Sequence, residues 1–253
     1  MATIGRPRIV HALRSALNVA TDYDRRLRER WAGEWGRTLP AGGMLLDAGA
    51  GDLHLRRLFG TQRYVGLDIR PRCPDGGSVA VKADLHAVPL ADSSVDNVVS
   101  LEVLEHVRHP DAVLSELSRV LRPGGAVCLS VPQAGSEHEQ PFDFYRFTTF
   151  SLTALAADAG LEVHTIKMKG FYFRRLSAEL RDLPFAVLPE NRTYRFPLVA
   201  LGLRWGLVAL FTFVVATLLL PLDALDRNRT YTTGYFCIFV KPRPGRPGPG
   251  DDR

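Results

Sequence analysis

The sequence predicts an α/β fold in which a mostly parallel sheet carries helices on both faces. Three observations predict it. Short apolar runs alternate with segments of helical spacing between residues 44 and 168, the pattern of a parallel sheet with crossover helices. The first run ends in Asp47-Ala48-Gly49-Ala50-Gly51-Asp52, a glycine turn that lets backbone approach a ligand. The next strand candidates also end in acids, Asp68 and Asp84, and ligands of such sheets bind at the carboxyl ends of the strands.

In chain order, residues 1–43 read as an N-terminal helical cap. Ile9, Leu13, Leu17, Leu27, Trp31 and Trp35 have helical spacing, and Leu39-Pro40-Ala41-Gly42-Gly43 ends the segment. Strands are predicted at Met44–Ala48, Tyr64–Asp68, Val79–Lys82, Val95–Ser100, Ala126–Val131 and Leu161–Met168. Helices are predicted at 52–59, 110–121 and 150–159, the middle one stopped by Arg122-Pro123-Gly124-Gly125. A last run, Tyr231–Val240, is rich in Tyr, Phe, Ile and Thr and closes the sheet after an excursion from 171 to 230. The core is therefore 44–170 plus 231–241, and 171–230 is a hydrophobic helical insertion. Residues 242–253, mostly Pro, Gly, Arg and Asp, have nothing to bury and read as a disordered tail.

With 253 residues, 46% hydrophobic and 23% charged, the chain suits one α/β domain with an appendage. The net charge of +5 comes from Arg and Lys scattered along the chain, which gives no reason to favour nucleic acid over an anionic lipid surface or substrate. Cys73, Cys128 and Cys237 lie far apart without CxxC spacing, so neither a metal site nor a disulfide framework is expected of them. Arg6, Arg8, His11 and Arg14 interrupt any secretory signal at the N-terminus, and a cytoplasmic location is expected. Within the insertion, Trp205 to Leu222 is an uncharged apolar run at the lower length limit of a bilayer span, about 18 residues. A true crossing would separate Tyr231–Val240 from the sheet it completes. Two readings stay open: residues 197–222 make peripheral contact with the cytoplasmic membrane face, with Arg192, Arg195, Arg204, Arg227 and Arg229 at the headgroups, or the same surface forms a homodimer interface.

The glycine turn discriminates between ligands. The third glycine of a dinucleotide fingerprint would fall at His54, and Asp47 and Asp52 flank the place of a pyrophosphate. Carboxylates there favour a ligand with positive groups. Asp68, about twenty residues on, suits a ribose diol. Asp84 is placed to accept from an adenine amine, with Ile69 and Leu85 on either side of the ring, and Leu101 and Glu102 close the fourth strand beneath the ligand's amino-acid end.

Residues 44–132 carry LLDAGAGD, YVGLDI, ADLHAVPLADSSVDNVVSLEVLEHV and LRPGGAVCLSVP in that order. In this block, about a third of the chain, the sequence resembles the class I methyltransferases of the type 11 family. The resemblance implies a Rossmann-like seven-stranded sheet of order 3-2-1-4-5-7-6 with the last strand antiparallel, and S-adenosyl-L-methionine as cofactor. It implies that Asp47, Gly49 and Gly51 hold the methionine part, Asp68 the ribose, and Asp84 with Leu85 the adenine. Residues 70–77 depart from the family pattern, being too broken for its second helix.

Beyond the fifth strand lies His138-Glu139-Gln140-Pro141-Phe142-Asp143-Phe144-Tyr145-Arg146-Phe147-Thr148, similar to stretches that cover the donor methyl group in part of that family. Methyl transfer needs alignment, plus a base where the acceptor is a hydroxyl. His138 is the candidate base, oriented by Glu139 or Asp143, and Arg146 the candidate anchor for an anionic part of the acceptor. The plainer alternatives are that His138 only bonds backbone and that Arg146 pairs with Asp143. His106 reads as a structural helix-end residue, and His86 and His109 as exposed loop positions. The expected function is O-methylation of an amphiphilic or lipid-linked acceptor at the membrane surface. Its rivals are methylation of a soluble small metabolite and a donor-binding scaffold or regulatory subunit without turnover.

Overall fold

The computed structural model describes residues 23–70, 80–187 and 196–245. Cys73, the tail from 246, and Arg192 and Arg195 lie outside the described residues, as does the first part of the N-terminal cap.

Seven strands form one sheet in the order β3-β2-β1-β4-β5-β7-β6. They are β1 Met44–Ala48, β2 Arg63–Asp68, β3 Ala80–Lys82, β4 Val95–Leu101, β5 Leu121–Pro132, β6 Glu162–Met168 and β7 Gly234–Val240. β3, β2, β1, β4 and β5 are parallel, while β7 runs antiparallel between β5 and β6. The alternation of side chains along each strand divides the core in two. Leu46, Val98, Val127 and Leu129 face one cluster, and Leu45, Val99 and Cys128 the other.

Helix α1, Tyr23–Gly36, covers the second cluster with Ala32 and Trp35, and Trp31 stacks on Phe236 of β7. On the opposite face, α2 (Pro110–Val120) buries Val113, Leu114, Leu117 and Val120, one helical stripe. Pro110 opens it where no amide partner is needed. Helix α3 (Thr149–Asp158) starts on a capping box between Thr148 and Ser151 and buries Leu152 and Ala156.

Four elements differ from the sequence reading. The helix expected at 52–59 is one 3-10 turn, His54–Leu58, entered through Leu53 at φ 61°. The fifth strand begins at Leu121: it pairs with Val95, and a register shift lets residues 122–125 bulge out before Ala126 meets Asn97. Asp96 and Asn97 hold this junction, accepting from the Met44 and Ala126 amides at 2.7 and 3.2 Å. The last strand starts at Gly234, whose carbonyl accepts from the Thr232 hydroxyl and from the Lys169 amide, both at 2.8 Å.

The insertion is the fourth. Helix α4 (Tyr172–Val187) is followed by α5 (Pro197–Ala209), a π-helical stretch Leu210–Val215, the short α6 (Ala216–Leu219) and a 3-10 turn to Leu225. The run from Trp205 to Leu222 is thus broken three times, and no described helix is long and apolar enough to cross a membrane. Arg204 is buried, so it is not the headgroup contact expected; Arg227 and Arg229 are exposed, Arg229 lying over the Phe171 ring at 4.8 Å.

Candidate functional site

The glycine turn folds as its sequence requires. Gly49 has φ +86°, and a Cβ there would come within 2.4 Å of Val103 Cγ2. The Gly49 and Ala50 amides both donate to the Leu67 carbonyl, at 2.8 and 3.0 Å, tying the turn to the end of β2. The Gly51 amide donates to Asp68 Oδ2 at 2.9 Å, and the Arg70 amide to Oδ1 at 2.6 Å. Each Asp68 oxygen keeps a further lone pair, so the carboxylate stays available to hydroxyl donors.

Asp47 is fully buried beneath this turn, and Tyr64 donates its hydroxyl to Oδ2. Burial pushes its carboxyl up to about 7; the Tyr64 bond opposes this, while Asp68 and Asp52 reinforce it. An acid raised above its ordinary value holds a proton between about pH 4 and pH 7 that the unfolded chain has lost, so its contribution to stability falls as pH rises through that window. A cation beside it reverses the preference. Affinity for a ligand that places an ammonium there is therefore expected to rise about tenfold between pH 6 and pH 8 in calorimetry. Asp47→Asn should raise the melting temperature of the ligand-free protein at pH 8 and abolish that pH dependence. A wild-type affinity flat across the range would refute the placement.

At β3, Asp84 sits close to Asp68, since the Ala83 amide donates to the Asp68 carbonyl. Its Oδ1 is already shared by the His86 amide at 2.9 Å and the His86 ring at 2.7 Å, which hold the carboxyl below its ordinary value. His86 is thus a partner of Asp84 rather than an unoccupied loop histidine. Leu85 is packed against the core, whereas Ile69, the other side chain expected beside an adenine ring, is 58% exposed.

The fourth strand ends in an ion cluster that the sequence did not disclose. Glu102 stands in the left-handed region, φ 55°, a local strain of about 1–3 kcal/mol that must be held by its surroundings. Lys169, 1% exposed, donates to Glu102 Oε1 at 2.7 Å and lies 3.7 Å from Asp24 of α1. Ser130 donates to the same oxygen, and Arg28 of α1 approaches Oε2 at 3.6 Å. Burial works against the Glu102 charge, but Lys169 and Arg28 prevail and hold the carboxyl low. The cap helix is thereby latched over the strand ends. Glu105, three residues on, is fully buried with both carboxylate oxygens unpartnered, and burial pushes it up to about 8.

The loop from 138 to 148 returns over these residues. The Phe144 amide donates to the Glu105 carbonyl at 2.8 Å and His106 Nδ1 faces the Phe142 carbonyl at 2.7 Å. Arg146 grips Asp143 with two nitrogens, at 2.7 and 2.9 Å, and also donates to the Tyr145 and Ser136 carbonyls. Asp143 is held well below the usual carboxylate range by that contact. The structure thus assigns Arg146 to the loop itself: its fork is spent on Asp143. Glu139 is exposed at φ 49° and does not orient His138; Asp143 does, with its Oδ2 receiving the His138 amide at 2.9 Å and lying 3.4 Å from Nδ1. Among the described residues, Glu105, His106 and His138 bring metal-ligating atom types together. Sequence reading missed the group because 32 residues separate His106 from His138; Glu105-His106 beside a strand end was the available signal.

Residues 46–129 match the family model described as "Methyltransferase domain". A Mycolicibacterium smegmatis protein named as an S-adenosylmethionine-dependent methyltransferase is 34% identical over 140 residues, covering 49% of this chain and 53% of that one. The chain spans only about 38–53% of the length of such mycobacterial relatives. The partner of a methyltransferase activator in a complex from Haloferax volcanii has the same fold, with TM-score 0.51 and 21% identity over 90% of this chain and 97% of that one. A Haemonchus contortus phosphoethanolamine N-methyltransferase solved with S-adenosyl-L-methionine superposes with TM-score 0.51 at 18% identity, over 81% of this chain and 50% of that one.

Proposed function

From the premise that residues 46–129 are a class I methyltransferase domain of the type 11 family whose cofactor is S-adenosylmethionine, we propose that the whole chain methylates an oxygen of an amphiphilic or lipid-linked acceptor at the cytoplasmic face of a membrane. The residues present suit the cofactor. The Gly49 cradle is one that a Cβ would fill, buried Asp47 awaits a cation, and Asp68 keeps lone pairs for hydroxyl groups. When bound, the cofactor supplies an electrophilic methyl group on a sulfonium. The chain's own part is to align the acceptor and exclude water, with the 138–148 loop over the strand ends and α1 latched beside it.

One observation carries the acceptor class. Phe196, Val199, Leu203, Leu210, Val214 and Leu218 recur at helical spacing along the insertion and are all exposed, Val199 by 69% and Leu218 by 67%. The inward side of the same segment instead buries Arg204 and Asp223 beside Val208. Asp223 accepts from the Phe171 and Arg174 amides at 3.0 Å each. An apolar row of this length left exposed marks a surface that meets lipid or protein. Its root adjoins the acceptor side, where Arg175 reaches Gln133 at the end of β5.

The direct test is methyl transfer from labelled donor to a lipid extract, followed by mass analysis of the labelled product. Leu203→Glu/Leu218→Glu should abolish flotation with anionic phospholipid vesicles while shifting stability by no more than about 1 kcal/mol. Wild-type protein that never floats and sediments as a dimer, reverting to monomer in the double variant, would overturn the membrane reading in favour of an interface between copies.

A further inference from the structure

Glu105, His106 and His138, at the carboxyl ends of β4 and β5, offer ligand-type atoms that lie within 4.8 Å of one another. Glu105 is completely buried with neither carboxylate oxygen hydrogen-bonded, a costly arrangement unless a cation faces it. The two histidines are also oriented for that purpose. His106 Nδ1 lies 2.7 Å from the Phe142 carbonyl; His138 Nδ1 lies 3.3 Å from the Ser136 carbonyl and 3.4 Å from Asp143 Oδ2. Carbonyls and ionised carboxylates only accept, so Nδ1 carries the hydrogen in each ring and Nε2 is left as a lone pair. Backbone carbonyls and carboxylates hold metal-ligating imidazoles in this way. His106 Nε2 is 3.7 Å from Glu105 Oε1, and the two imidazoles meet edge to face with centroids 4.7 Å apart.

We propose that Glu105, His106 and His138 bind one divalent transition-metal cation of the zinc class next to the methyl-donor site. Two imidazoles and one carboxylate do not suit magnesium or calcium, which take oxygen ligands, but do suit zinc, cobalt or ferrous iron. Ligand bonds of about 2.0–2.2 Å would draw the three atoms to within roughly 3.5 Å of one another. His138, on an exposed loop, supplies most of that movement. Three protein ligands leave a coordination position open.

The role of that position rests on the acceptor reading above; the binding itself does not. An acceptor hydroxyl taken there loses its O–H proton to water because the cation lowers its pKa. The oxygen lone pair then forms the new O–C bond as the C–S bond of the sulfonium breaks, its electron pair staying on sulfur to give a neutral thioether. His138 acts in this scheme as a ligand, not as the base.

Tag-free, chelator-stripped protein titrated with zinc chloride by calorimetry should bind one equivalent, and cobalt chloride should give visible absorption of a low-coordinate nitrogen–oxygen site. His138→Ala, at an exposed position that leaves folding intact, and Glu105→Gln should each weaken zinc binding about tenfold or more. Absence of stoichiometric zinc binding, zinc binding unchanged in both variants, or equally tight magnesium binding would overturn the assignment. S-adenosylhomocysteine binding by the metal-free protein is measured alongside. If it is retained while zinc fails to bind, the cation site alone is refuted; if it is lost, the methyltransferase reading fails.

Discussion

Lys169→Met is expected to destabilise the protein by about 3–5 kcal/mol, the cost of leaving a buried charge without its partner. Lys169 is almost wholly enclosed; its ammonium sits between Glu102 and Asp24 and over the Phe236 ring at 5.9 Å. Without it, Glu102 keeps the Ser130 hydroxyl and, as its only cation, the longer Arg28 contact, and stands near a second buried acid, Glu105. Lys169→Arg should not rescue, because the enclosure has no spare volume: a Cβ on Gly234 would already lie 2.3 Å from Lys169 Cε. Lys169→Met/Glu102→Gln, which removes both charges, should recover most of the loss, and the non-additivity measures the coupling. Urea unfolding of wild type, Lys169→Met, Glu102→Gln and the double variant decides the matter. A Lys169→Met variant within about 1 kcal/mol of wild type would show that the latch between α1 and the strand ends is not electrostatic.

Gly49→Val is expected to reduce affinity for S-adenosylhomocysteine by at least about 100-fold, roughly 3 kcal/mol. Two effects combine. The positive φ costs a β-branched residue about 1–2 kcal/mol, and the added Cβ runs into Val103, which cannot withdraw without disturbing the start of the Leu104–His106 turn. The strain is relieved by moving the Gly49–Gly51 backbone, which is the contact surface for the donor in the function proposed above. Gly49→Ala/Val103→Ala removes the collision but keeps the φ penalty, so it should bind better than Gly49→Val and worse than wild type. Circular dichroism distinguishes a distorted turn from an unfolded chain. Gly49→Val binding with near wild-type affinity would place the donor elsewhere.

Local signals gave the right elements wherever one segment sets its own structure. The apolar runs of β1 and β4 and the helices expected at 110–121 and 150–159 each follow from a few neighbouring residues, and appear within a residue or two of where expected. Boundaries moved where a distant partner intervened. The fifth strand begins at Leu121 because Val95 pairs with it across the bulge, and the seventh begins at Gly234 because Lys169 donates its amide to the Gly234 carbonyl. The apolar run at 205–222 reads as one segment in sequence, yet it bends through π and 3-10 turns that seat Asp223 against the start of α4.

The same division holds at the site. The sequence by itself determined the strand-end framework, since the turn at Gly49 and Gly51 and the acids Asp47, Asp68 and Asp84 at the ends of successive strands are set by neighbouring residues. Only the tertiary structure decided the surroundings of the fourth strand's end and of the 138–148 loop. It tied Arg146 to Asp143, turned Leu85 into the core, latched Glu102 to Lys169, and gathered Glu105, His106 and His138. Apart from the Asp143–Arg146 pair, which lies within one loop and was an alternative legible in the sequence, those contacts join residues distant in the chain, and the energy of a buried charge depends on which distant partner arrives beside it; a linear pattern does not carry that information.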